Sequence, residues 1–98
     1  GYVSSDIILT KDTTITVGIV ASKAEAADVL KTFDASKILD GGASVSFLNE
    51  ALTGTNGDAY SKDITITTRN VAGTEKYTFT VLNRDGLKNS VSLIITVN

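Results

Sequence analysis

The side chains able to do chemistry in this sequence are eleven Asp and Glu residues, three Tyr, and many Ser and Thr; His and Cys are both absent. Without His, the commonest general base and the usual imidazole ligand are missing. Without Cys there is no thiol nucleophile, thiolate metal site or disulfide framework. The hydroxyls therefore lack the usual imidazole base, and neither a Ser-His-Asp nor a Cys-His arrangement can be assembled. Carboxylates alone could still work in two ways. A pair at a set separation across a cleft could hydrolyse a glycoside, and a cluster could supply the roughly six to eight oxygens that calcium takes. The acids are scattered, and no spacing singles out such a pair. In Asn83-Arg84-Asp85-Gly86 the one carboxylate sits beside an arginine, whose charge opposes a cation, so this stretch reads as a turn. The expectation is a noncatalytic chain with no cofactor and no metal.

Binding is the remaining chemistry. Sugar-binding surfaces stack exposed aromatic rings on pyranose faces, and this chain has no Trp. Tyr60, beside Asn56-Gly57-Asp58, is the candidate platform, with Asn56 and Asp58 as its polar neighbours. The competing reading makes Tyr60 the first residue of a strand, packing inward with Ile64 and Ile66. Net charge is −2 and the nine Lys and Arg residues form no run. Nucleic-acid binding and polybasic membrane contact both need clustered positive charge, so neither is expected. No stretch approaches the roughly 18–20 apolar residues of a membrane span.

The elements that must position these residues are strands. In TTITVGIVAS, Ile15, Val17, Ile19 and Ala21 share one face, and DITITT repeats the pattern with Ile64 and Ile66. GTEKYTFTV lines up Tyr77, Phe79 and Val81, and SVSLIITV lines up Val91, Leu93, Ile95 and Val97. Val20, Leu82 and Ile94 interrupt the polar faces and mark outer surface that is covered or sticky. DIILT reads as an edge strand turning at Lys11-Asp12. ASVSFLNE reads as a further strand, with Val45 and Phe47 alternating with Ser44 and Ser46; Phe33, Phe47 and Phe79 are assigned to the core.

One stretch is ambiguous. In SKAEAADVLKTFDASKIL, Ser22 and Glu25 fit a capping box. The reading adopted is a helical turn over Lys23 to Ala27 and a strand from about Val29 to Ile38; the rival is a helix through Phe33. Turns are marked by Asp40-Gly41-Gly42, Gly54 to Asp58, Ala72-Gly73 and Asp85-Gly86. There is no Pro, hence no X-Pro isomerisation to slow folding. About seven short strands at this spacing, in 98 residues, predict one all-β domain, an immunoglobulin-like Greek-key β-sandwich. Tyr77 falls where such sandwiches often carry a corner tyrosine, whose hydroxyl would bond to upstream backbone.

The run ITITTRNVAGTEKYTFTVLNRDG followed by SVSLIITV resembles the closing strands of immunoglobulin-like modules in bacterial surface proteins. With LKTF at 30–33, DGG at 40–42 and NEALTG at 49–54, it is similar to N-terminal modules of secreted lipoproteins of Bacteroidetes. The likeness runs from about Asp6 onward, and AEAADV departs from it. It implies a noncatalytic module that spaces or presents a neighbouring domain of the same polypeptide, outside the cell or at its surface, and it carries over no site residues. Glycan or protein is the class of further partner, and a monomer is expected. The missing initial Met suggests a piece of a longer exported protein, with Gly1 a scar of tag removal and residues 1–5 frayed.

Overall fold

The computed structural model describes residues 2–98; Gly1, the expected scar, lies outside them. Seven strands follow one another: β1 (Ile7–Leu9), β2 (Thr14–Ser22), β3 (Leu30–Leu39), β4 (Ser44–Ala51), β5 (Ala59–Thr67), β6 (Gly73–Asn83) and β7 (Lys88–Val97). A single 3-10 turn, Gly54–Gly57, precedes β5. They form a five-stranded sheet in the order β1-β7-β6-β3-β4 and a two-stranded sheet of β2 and β5. The chain thus passes between sheets after β1, β2, β4 and β5, which is the all-β, two-sheet architecture that the alternation predicts.

The core lies between the sheets. Ile15, Val17, Ile19, Tyr60, Ile64 and Ile66 project from β2 and β5, facing Phe33, Ala35, Tyr77, Phe79, Leu93, Ile95 and Val97. These are the positions that a period of two places on one face. Phe33 is the centrepiece, fully buried, with its ring 5.2 Å from Tyr60 and 6.4 Å from Phe79. Removing a ring so placed costs about 3–5 kcal/mol, because the cavity adds to the lost transfer energy.

The narrow sheet does not cover the wide one, and two assignments change for that reason. Phe47, expected in the core, is 40% exposed, and Val91, expected inward, is 63% exposed. Both follow the inward alternation, but they sit on the flanks, where no strand lies opposite. Phe47 is also the residue left over where the β3–β4 register shifts between Ala35 and Ser36. The bulge turns its ring edge-on to Tyr77, 6.0 Å away, with the Lys37 ammonium 5.9 Å from the ring centre. Of the residues suspected of breaking the polar face, Val20 is 84% exposed.

The connections obey their local chemistry. At Asp40-Gly41 both central residues have positive φ, 51° and 73°, and Gly42 N–H donates to Leu39 O, closing a two-residue hairpin whose twist suits the strands it joins. No helix forms over Lys23 to Ala27. Ser22 ends β2 instead of capping, and the segment makes one tight turn, with Asp28 N–H donating to Glu25 O at 3.1 Å. Pairing of Ser22 with Ala59 outcompetes the cap. The β3 strand then begins at Leu30, one residue from the expected start. Nor are residues 2 and 3 frayed: Tyr2 bridges Thr16, Val3 N–H donates to Thr16 O, and the Tyr2 ring covers Gly18.

Candidate functional site

The strongest concentration of charge lies where β6 begins. Glu75 alternates with Tyr77 and Phe79 on the inward face, so the strand carries a carboxylate into the interior, where it is 0% exposed. Burying an ion is costly unless it is fully hydrogen-bonded. Three donors meet it. The Arg69 amide and Nε donate to Oε2, each at 3.0 Å, and the Tyr77 hydroxyl donates to Oε1 at 2.8 Å. The other end of the same guanidinium spans Asp40 in the β3–β4 turn, with Nη1 to Oδ2 at 2.9 Å and Nη2 to Oδ1 at 3.1 Å. Thr74 N–H adds a further bond to Asp40 Oδ1 at 2.8 Å. Gly73 has positive φ, and a Cβ built there would collide with the Asp40 carboxylate, so glycine opens the way for this approach.

The acid–base consequences run in one direction. Burial alone would raise Glu75, but the Arg69 amide, the Tyr77 hydroxyl and the guanidinium outweigh it and hold the carboxyl below its ordinary value. Arg69 hydrogen bonds, helped by the Thr74 amide, bring Asp40 down to about 2. Burial, and then the bond to Glu75, push the Tyr77 hydroxyl up. The guanidinium is raised, chiefly through its bonds to Asp40 and Glu75. Every group is thereby held in its ordinary charge state at neutral pH. A general acid or base needs the opposite, a group poised near the working pH. The arrangement is built to fasten: one arginine ties the β5–β6 loop, the β3–β4 turn and the first residues of β6 together. The expected corner role of Tyr77 changes accordingly, since its hydroxyl bonds to a buried carboxylate and not to upstream backbone.

The residues proposed for sugar contact do not come together on a surface. Tyr60 is 3% exposed, its ring packed on Phe33 and its hydroxyl donating to Glu50 Oε1 at 2.9 Å. Burial and that bond bring it up to about 12. Its inward packing with Ile64 and Ile66 is the reading the structure bears out, and its face is unavailable for stacking. Asn56 is exposed in the 3-10 turn, where its N–H donates to Thr53 O, and exposed Asp58 pairs with Lys23 Nζ at 2.8 Å. Surface pairs of this kind contribute little.

The Asn83-Arg84-Asp85-Gly86 stretch is a turn. Asn83 Oδ1 accepts the amides of Asp85 and Leu87, and Gly86 takes a φ of 81° and donates its N–H to Asn83 O. Asn83 Nδ2 reaches across to Asp28 Oδ2 at 3.0 Å. Among the described residues no group of three or more acidic side chains gathers in a geometry that could hold a metal ion. A cleft of about 380 Å³ opens at this end of β6, between the last residues of β2 and the start of β7. Leu30, Phe79 and Val81 line it, with Val91 and Leu87 at its edge.

The fastening residues Asp40, Arg69 and Glu75 were not singled out by the sequence. One signal was present: Glu75 has the parity of Tyr77 and Phe79, and a carboxylate on a core face requires a cation or donors. Nothing in the spacing identifies which arginine supplies them. Searched against protein-family models and curated proteins, the chain matches none.

Proposed function

We propose that this chain is a noncatalytic structural module of the immunoglobulin-like, Greek-key kind, which spaces or presents a neighbouring domain of a bacterial surface or secreted polypeptide, as in lipoproteins of Bacteroidetes. The observation that carries the reading is the fastened end of the sandwich. The most heavily polarised side chains, Arg69, Asp40, Glu75 and Tyr77, are bonded to one another and to backbone, tying turn, loop and strand into one unit. Polar side chains at the other end do the same work, as Asn83 and Asp28 illustrate. Strands that give the molecule extents of 46 × 28 × 17 Å make it a rod of defined length, which suits a spacer. The extracellular placement rests on the sequence resemblance.

The absence of cysteine allows the test. Cysteines introduced at exposed Asp58 and Val71, at opposite ends of the strands, take spin labels without competing thiols. A spacer gives one narrow distance distribution, unchanged by a broad glycan panel, and the parent polypeptide on intact cells is cut by added protease. A broad distribution, saturable glycan binding, or protection from protease would each overturn the proposal.

A further inference from the structure

The five-stranded sheet ends unevenly on its β1 side. β1 pairs in parallel with β7 only at Ile7–Ile95, Ile8–Thr96 and Leu9–Val97. Before that, Asp6 Oδ1 accepts the Ile94 N–H at 2.8 Å, which stops the pairing with a side chain. Residues 88–93 of β7 are bonded to β6 on one edge and have no strand on the other among the described residues. Main-chain donors alternate in direction along a strand. Because the Ile94 N–H points toward β1, those of Ser92 and Ser90 point out along the same bare edge.

We infer that this edge of β7 pairs antiparallel with the same edge of a second copy of the chain, across a two-fold axis at Val91. With Val91 on the axis, Ser90 lies opposite Ser92 of the second copy. The outward N–H and C=O groups of these serines exchange both bonds, and the axis repeats the exchange. Val91 then faces its own counterpart at a non-hydrogen-bonded position, where side chains come closest. That covers a residue left exposed at the edge of the apolar cleft.

Charge selects this partner. The same register sets Lys88 opposite Ile94 of the second copy, both on the outer face of the sheet. The exposed stem of Ile94 receives the lysine chain, and the adjacent Asp6 has Oδ2 available for the ammonium after Oδ1 has taken the amide. The two-fold axis makes this pair twice. Two of the other edges are less suited. β4 is bent by the bulge at Phe47, and the opposite edge of β2 is bridged by Tyr2 at Thr16. The contact is edge to edge and small, so it belongs to the weak, transient class of interfaces. The monomer expected from sequence is then the dilute state.

Sedimentation equilibrium of the whole chain over a concentration series tests the inference. The expected result is a rise from 10.3 kDa toward twice that mass. Val91→Lys, which sets two ammonium groups together on the axis, should weaken association by about tenfold or more. Lys88→Glu should weaken it as well, by facing Asp6 with a like charge. Asp6→Asn keeps the acceptor for Ile94 N–H and removes the charge, so it should weaken association and abolish its salt dependence. Circular dichroism confirms that each variant, altered only at exposed side chains, stays folded. A mass that stays at 10.3 kDa up to about 1 mM, or a dimer that Val91→Lys leaves unchanged, would overturn the inference.

Discussion

Tyr77→Phe deletes a single oxygen from the fastening cluster and leaves the ring in place. The ring is buried on the core face beside Phe79, so packing is nearly conserved. What goes is the 2.8 Å bond to Glu75 Oε1. Hydrogen bonds to charged groups contribute about 1.5–3 kcal/mol, more than the neutral bond to backbone that a corner tyrosine would make. The loss is greatest here because Oε1 stays buried with no other protein donor. A cost of about 2 kcal/mol lowers the melting temperature of a domain this size by roughly 8–16 °C. The carboxyl of Glu75 is lower in the folded chain than in the unfolded one. Its contribution is therefore complete above the unfolded value of about 4.3 and is lost as pH falls through the folded value. Removing Tyr77 takes away one of the causes that lower it. The gap between wild type and variant should thus be constant above about pH 5 and narrow as pH falls through the folded value. Urea unfolding followed by far-ultraviolet circular dichroism measures both. A difference under about 0.5 kcal/mol, or one equally large at acid and neutral pH, would refute the reasoning.

The same cluster predicts that Arg69→Lys unfolds at a higher pH in acid titration than wild type, since an ammonium cannot span Asp40 and Glu75 with fixed forked geometry. Gly73→Ala should cost more than Gly86→Ala in urea unfolding. Gly86, with φ of 81°, costs alanine about 1–2 kcal/mol of strain, whereas at Gly73 the new Cβ also meets Asp40 and Arg69. Asn83→Ala should cost about 1–2 kcal/mol by the same measurement, as the amides of Asp85 and Leu87 lose their acceptor. Phe33→Leu should be destabilising yet folded, and Phe33→Ala should lose about 3–5 kcal/mol in the same titration.

Alternation made the strands legible. The faces of β2, β5 and β6 and the start of β3 could be read from single residues such as Ile64 and Phe33, because period two follows directly from the pleat. The same rule identifies a side without saying whether anything lies opposite. Val91 and Phe47 have inward parity and stand exposed because the opposing sheet contains only β2 and β5. Ser22 and Glu25 carry a capping signature, but strand pairing along β2 as far as Ala59 overrode a local preference of modest size. The charged cluster was half visible. Glu75 shares the parity of Tyr77, a signal that went unread, whereas its partner depends on how two turns meet in space, which no spacing in the chain encodes. The weighing of Tyr60 as strand or platform was settled by Phe33, which occupies the ring face a sugar would need.

The parallel pairing of β1 with β7 has a mechanical meaning. The bonds at Ile7–Ile95 and Leu9–Val97 join the first strand to the last. Tension applied through both ends draws the two strands in opposite directions along their common axis, so these bonds are sheared together instead of being unzipped singly. A stretched filament containing such a link holds its length until the short seam slips, and the duration of that hold is set by an unfolding rate and not by an equilibrium.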